Sequence, residues 1–415
     1  MPQETALFPL ADADKCVKCA LCLPHCPTYR ISLDEGESPR GRIALMQAFA
    51  GGTLALTPAL SAHLDHCLAC RACEAVCPAQ VPYGKLIDAA RALLHERGQR
   101  EPWLVRLFAA CMRNPVLLKS LHLVLWLSQR LGLQTIAALW PRFRQPLQML
   151  PKLAAPRRLL PIYPTRQTGS PEVQLFLGCV ARMVEPGVTQ AAIRVLNTLG
   201  CKVRIPAAQG CCGALDQHAG RASPAARAVL RNLEAFGGDT PDPILHTASG
   251  CGATLGEYPQ LLADARTAQF SHRCRDISAF IAGHDKLGQV AFQPLRAKVL
   301  LHTPCTLRNV LKSGAAVAQM LRHIPELKLA LLPDSIGCCG AAGSHVLSQP
   351  ALAERLADPV ADAVRQTGAD FLLTSNVGCR LHLQAAMRRH GLPVRVLHPL
   401  ELMAMLLPGD DAPAV

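Results

Sequence analysis

Residues 16–27 read CVKCALCLPHCP and residues 67–78 read CLACRACEAVCP. Each run holds four cysteines at steps of three, three and four, with a proline after the last. Thiolates are soft donors that suit iron–sulfur clusters. At this spacing three thiolates wrap three corners of a cubane, the fourth reaches a different cluster, and the proline turns the chain away. The doubled run therefore predicts two [4Fe–4S] clusters with exchanged ligands: Cys16, Cys19 and Cys22 with Cys77, and Cys67, Cys70 and Cys73 with Cys26. Zinc is the competing reading. It usually takes two C-x2-C pairs set well apart, with no third cysteine at the same step.

A second set of thiols lies in the other half of the chain, which repeats itself. VQLFLGCVARM (173–183) matches VLLHTPCTLRN (299–309), QGCCGALDQHAG (209–220) matches IGCCGAAGSHVL (336–347), and ILHTASGCGATL (244–255) matches FLLTSNVGCRLH (371–382). Each unit offers four thiols: Cys179, Cys211, Cys212 and Cys251 in the first, Cys305, Cys338, Cys339 and Cys379 in the second. Adjacent cysteines both bind a metal if the backbone bends, and the glycine after each pair permits the bend. The units read as a metal or cluster site, or a thiol redox site, apiece. Cys111, Cys201 and Cys274 have no counterpart and read as small buried hydrophobes.

The elements that position these groups follow from the local pattern. Between the cysteine runs, Ser38 is placed to cap a helix, Pro39 to start it, and Gly51 or Gly52 to end it. Arg40 and Arg42 on that helix would lie near the clusters, either as a solvated helix start or as positive charge that tunes the cluster potential. In the repeats, short β-rich runs such as 173–177 and 298–302 alternate with amphipathic stretches such as 189–199. That is an α/β pattern with mostly parallel strands, whose ends and loops carry the cysteines.

Composition narrows the function. The chain has 415 residues and 19 cysteines. Its first ten residues lack a basic stretch followed by an apolar run, so a cytoplasmic setting is expected, where cysteines serve as ligands or redox groups rather than disulfides. Between Glu101 and Glu172 there is no acidic residue, and ten of the basic residues behind the net charge of +13 lie there: Arg106, Arg113, Lys119, Arg130, Arg142, Arg144, Lys152, Arg157, Arg158 and Arg166. With the excess confined to one segment, no nucleic-acid-binding surface is predicted. That segment also holds Trp103, Trp126 and Trp140. It suits either a helix lying on an anionic membrane surface or a helical hairpin packed between domains, with a Pro/Arg-rich linker from Pro141 onward. Lys119, Gln129, Arg130 and Gln134 interrupt it too often for a spanning helix. GCGATLG (250–256) has the wrong spacing for a dinucleotide fingerprint, and no Walker loop, flavin site or nicotinamide site is read.

These motifs carry a family resemblance over almost the whole chain. The repeated unit resembles the cysteine-rich CCG domain of heterodisulfide reductases, and the first hundred residues resemble a bacterial two-cluster ferredoxin domain. Joined in this order, with CVKCALCLPHCPTYR, SPRGRI and LDHCLACRACEAVCP, they resemble the iron–sulfur subunit of glycolate oxidase. Each unit departs from the full CCG pattern, which ends in C-x2-C: Ala248 and Asn376 stand where its first cysteine would be. The resemblance implies a small α+β ferredoxin-like domain (1–100), a basic helical segment with linker (101–170), and two α/β CCG domains (171–290 and 291–415). It further implies an electron-transfer subunit, inactive alone and without flavin of its own. Such a subunit would take electrons from flavin-containing partner subunits that oxidise glycolate to glyoxylate. It would pass them to a quinone or other acceptor at the cytoplasmic face of the inner membrane, with the CCG units as docking surface or further redox centre. The alternatives are the same architecture serving anaerobic glycerol-3-phosphate or D-lactate oxidation, a self-contained thiol–disulfide reductase, and a zinc scaffold.

Overall fold

The computed structural model describes residues 8–99, 102–134, 140, 147–156, 158–165, 170–237 and 240–408. Arg142, Arg144, Arg157 and Arg166 of the basic segment lie outside them.

The apolar residues of the N-terminal unit recur at helical spacing, and helices form. Pro39–Ala50 buries Ile43, Met46, Phe49 and Ala50 against Leu86, Ile87, Ala90, Leu93 and Leu94 of Tyr83–Glu96. Ser38 caps the first helix by accepting from the Gly41 N–H, Pro39 occupies its first turn, and Gly51 follows its end. The expected α+β character of this unit is not seen: among the described residues it holds helices and 3-10 turns with no strand. The physical reason is that its core is made by two helical faces, while the cysteine runs are loops too tightly curled to pair as strands.

The α/β reading holds for the repeats. The first sheet holds β1 (Ile162–Tyr163), β2 (Glu172–Phe176), β3 (Lys202–Arg204), β4 (Ile244–His246) and β5 (Cys274–Asp276) in the order β1-β3-β2-β4-β5. The second holds β6 (Lys298–His302), β7 (Lys328–Leu331), β8 (Phe371–Thr374) and β9 (Arg395–Leu397) in the order β7-β6-β8-β9. All pairings are parallel except β1 with β3. Parallel neighbours require helical crossovers, supplied in the first repeat by Pro186–Thr198, Ala222–Ala235 and Ala265–Arg273. Val173–Phe176 and Val299–His302 are buried throughout, as central strands covered on both faces must be. β1 falls in the stretch expected to be linker, and pairs there because Tyr163 buries against the first sheet's core.

The repeats pack against each other by exchange. Pro186–Thr198 of the first lies on Pro399–Met405 of the second, and Ile277–Ala282 of the first lies on Gly314–Leu321 of the second. Each helix thus meets the counterpart of its own neighbour, and one apolar core runs through both units. The carboxyl ends of β4 and β8 meet at the junction, where the Ser249 N–H donates to Ser375 O at 3.2 Å and the Gly250 N–H to Asn376 Oδ1 at 3.2 Å.

The basic apolar segment forms two helices, Trp103–Arg113 and Pro115–Arg130, joined at Asn114, whose side chain accepts from the N–H groups of Val116 and Leu117. Met112 and Leu118 bury against the first repeat's core. Trp103, Leu107, Val116, Leu117, Leu123 and Val124 are left exposed. Among the described residues no helix is long and apolar enough to cross a membrane.

Candidate metal centres

The two cysteine runs adopt the same backbone. Lys18 and Ala20 in the first, and Ala69 and Arg71 in the second, have left-handed φ of 55°, 71°, 48° and 57°. Both pairs stand two and four residues after the first cysteine of their run. Left-handed residues alternating with ordinary ones turn successive N–H groups toward a single centre, which makes a concavity for an anionic group. The strain of four non-glycine residues at positive φ is tolerated because the same two-step curl is needed twice.

Cys26 lines a cavity with Cys67, Cys70 and Cys73, among other residues that include Arg42, Arg71 and Tyr83. The fourth cysteine of the first run thus stands with the first three of the second, as the spacing predicts. Of this set Cys26, Cys67 and Cys73 are buried and Cys70 is half-buried. Cys16, Cys22 and Cys77 are half-buried against the same core, and Cys19 is exposed. None of the 19 cysteines is in a disulfide. Four thiols converging from a curled backbone on one cavity fit a thiolate-ligated cubane.

The helix that begins at Pro39 aims its two arginines at the two loops. Arg40 donates to Lys18 O at 3.1 Å and pairs with Glu35 at 2.7 Å. Arg42 is 1 % exposed. It donates to His63 O at 2.6 Å, to Thr28 Oγ1 at 3.0 Å and to Glu37, and lies 3.9 Å from Cys26 Sγ. Burial works against its charge. The neighbouring Cys67, Tyr83, Cys26 and Glu37 outweigh that and hold the guanidinium pKa above its ordinary value. Arg42 is therefore a buried cation beside the thiols rather than a solvated helix start. Glu37 also meets His63 and His66 at 2.8 and 2.9 Å; burial pushes its carboxyl up, but these imidazoles and Arg42 bring it below the usual range.

In the repeats every cysteine of the expected sets stands past the carboxyl end of a strand, near the switch point where the first strand of each unit lies between the second and third. In the first repeat Cys179 donates to Cys211 Sγ at 3.4 Å, the Gly213 N–H reaches Cys211 Sγ at 3.5 Å, and Cys212 lies beside both Cys211 and Cys251. In the second, Cys305 and Cys338 Sγ atoms are 3.9 Å apart, Cys339 and Cys379 are 2.9 Å apart, and the Gly340 N–H reaches Cys338 Sγ at 3.5 Å. Gly213 and Gly340 have φ of 96° and 85°, the bend expected after each cysteine pair. Cys201 and Cys274 pack into apolar clusters, as does Cys111.

Two features were not read in advance. One is His302, at the end of β6, which joins Cys339 and Cys379 in a buried group with ligand atoms within 4.8 Å of one another. Aligning the repeats would have flagged it, since Phe176 holds the matching position in β2. The other is the contact between the second repeat and the second cysteine run. Cys70 and Cys305 pack on a small apolar cluster of Leu68, Cys338 and Leu356, and Asn309 Nδ2 donates to Cys70 O at 2.7 Å. Burial pushes the Cys70 thiol well up, and Cys338 across the contact adds to it. The first repeat reaches the same run through Arg71, which pairs with Glu257, and touches the N-terminal unit again through Asp88 with His218 at 3.0 Å.

Comparison with known proteins agrees with this layout. Residues 12–81 match the family described as a 4Fe-4S dicluster domain, and residues 173–256 and 299–384 each match a cysteine-rich domain called CCG. The chain is 32 % identical to a probable glycolate oxidase iron-sulfur subunit of Bacillus subtilis, over 94 % of this chain and 92 % of that one. It is 31 % identical to the glycolate oxidase iron-sulfur subunit of Escherichia coli, over 94 % and 93 %. A lactate utilization protein A of Bacillus cytotoxicus is 29 % identical over 56 % of this chain and 98 % of its own length.

Proposed function

The chain belongs to the family of glycolate oxidase iron–sulfur subunits, and from that premise we propose that it relays electrons from a flavin-bearing partner that oxidises glycolate to glyoxylate. The observation that carries this reading is the pair of matching cysteine loops, with Cys26 lodged among the thiols of the second run. Cys16, Cys19, Cys22 and Cys77 hold one [4Fe–4S] cluster, and Cys26, Cys67, Cys70 and Cys73 hold the other. A cluster supplies one-electron chemistry when bound, and this chain's residues set where and at what potential. Exposed Cys19 marks the side facing the partner, while the buried second set lies toward the repeats. Arg42 offsets negative charge at the buried set, and Tyr83 Oη, 3.6 Å from Cys67 Sγ, donates to its sulfur.

The electrons leave to a quinone or another acceptor at a membrane surface. Support comes from the hairpin 103–130, which exposes Trp103, Leu107, Val116 and Val124 beside Arg106, Lys119 and Arg130 with no acidic residue. Apolar side chains interleaved with cations suit the headgroup region of an anionic bilayer.

The test is iron and acid-labile sulfide per chain after anaerobic purification, with EPR of the reduced protein. At least about eight irons and two interacting [4Fe–4S] signals are expected. Cys19→Ser or Cys70→Ser is expected to abolish acceptor-linked glycolate oxidation by the complex while the flavin partner still reduces artificial dyes. Quinone-linked activity intact in Cys70→Ser would overturn the relay.

A further inference from the structure

The two repeats align cysteine for cysteine, yet their interiors differ at the strand that ends in the site. In the first, Phe176 closes β2 opposite His246 of β4 and packs on Phe236, ring centroids 5.9 Å apart. In the second, His302 closes β6 opposite Thr374 of β8. His302 is 1 % exposed. Its Nδ1 lies 2.9 Å from Thr374 Oγ1, and its Nε2 has no hydrogen-bond partner. A buried imidazole nitrogen without a partner is costly unless something else takes its lone pair. The groups beside it are Cys339 and Cys379, all three within 4.8 Å of one another.

We propose that the second repeat holds a metal centre built on Cys305, Cys338, Cys339 and Cys379 in which His302 is a ligand through Nε2. With a metal on Nε2 the ring proton sits on Nδ1, and the Thr374 hydroxyl 2.9 Å away accepts it, the arrangement by which ligating histidines are oriented. The imidazole makes up for the cysteine that Asn376 replaces in the C-x2-C ending. Asn376 keeps a role, since its Nδ2 donates to Cys379 Sγ at 3.4 Å and so favours the thiolate. The first repeat has Phe176 and Ala248 at the two positions and neither group. The donor set of thiolates with one imidazole takes a thiophilic metal, iron within an iron–sulfur centre or zinc. With iron, exchange of a thiolate for a neutral imidazole raises the reduction potential, and one electron arriving from the Cys70 side would be drawn into this site.

The experiment compares the full-length wild type with His302→Phe, which copies the residue the first repeat accommodates, and with Thr374→Val, which removes the Nδ1 partner. Metal analysis and pulsed EPR for nitrogen couplings are read on the same samples. In the wild type we expect iron above the content of the two N-terminal clusters with an imidazole nitrogen coupling, or about one zinc whose X-ray absorption shows sulfur and nitrogen neighbours. His302→Phe loses that metal, and Thr374→Val weakens its retention by about 10- to 100-fold on chelator challenge. The two metals are told apart by the same analysis. Equal metal content in all three proteins, with no nitrogen neighbour, would overturn the proposal. The N-terminal cluster signals report separately on folding and on the relay reading, since they arise from the other eight cysteines.

Discussion

Replacing Arg42 with Met tests whether a buried cation sets the potential of the inner cluster. Arg42 Nη1 is 3.9 Å from Cys26 Sγ. At that distance, with an effective dielectric of about 20, a unit charge interacts by about 4 kcal/mol. For one electron that converts to about 180 mV. This is a ceiling, because an added electron spreads over the cluster and its mean distance from the guanidinium exceeds that to the nearest ligand sulfur. A fall of roughly 50–100 mV in the midpoint of one of the two clusters is expected. Arg42→Lys, which keeps the charge but not the five donors, should fall by much less. The assay is an EPR-monitored redox titration of the reduced protein. Removing Arg42 also takes the guanidinium from buried Glu37, which keeps His63 and His66, so the loss of stability stays below the roughly 3–5 kcal/mol of a fully stranded buried charge. Folding is therefore checked by thermal melting, and Glu37→Gln with Arg42→Met relieves the carboxylate left behind. If the double variant folds, keeps both clusters and titrates at the same potentials as Glu37→Gln alone, which also lacks the carboxylate, the charge argument is wrong.

Three other outcomes follow from particular contacts. Burial pulls the His398 imidazole down to about 3, against the hydrogen bond it donates to Thr247 O. The unfolded chain then binds the extra proton first, so the stability His398 contributes is complete above about pH 6.5 and is lost as pH falls toward 3. A urea midpoint that drops between pH 7.5 and 5 in the wild type but less in His398→Asn would agree, and identical slopes would not. Gly340→Ala is expected to destabilise by about 2–4 kcal/mol, because its φ is 85° and a Cβ would sit 2.6 Å from Ala353 O. Gly213→Ala, whose nearest neighbour is 3.5 Å away, should cost about 1 kcal/mol; equal losses in denaturant would refute the steric account. Finally, the wild type should sediment with anionic vesicles at low salt, and Gln at Arg106, Lys119 and Arg130 should weaken this about a hundredfold at roughly 1 kcal/mol per charge. Failure of the wild type to bind such vesicles would remove the membrane reading.

Much of this protein was legible before any coordinates. Iron–sulfur cysteine spacing is a local property of a short loop, so the doubled run pointed to iron–sulfur chemistry, and its spacing led one to look for Cys26 beside the thiols of the second run, where it stands. The internal repeat named the α/β units, because buried strands and amphipathic helices leave distinct periodicities. The Ser38–Pro39 start and the Gly51 end were local capping signals. What the tertiary structure decided is long-range. The N-terminal unit has no strand among its described residues, since its curled loops are held by two helices that pack face to face. Arg42 left the solvent because Glu37, Thr28 and the His63 carbonyl converge on it from three other segments. The partnership of His302 with Cys339 and Cys379 depends on β6 and β8 pairing in one register, and the meeting of Cys70 with the second repeat rather than the first depends on how whole units dock. Pairing and docking bring together residues tens to hundreds of positions apart, and no local pattern records which of them will touch.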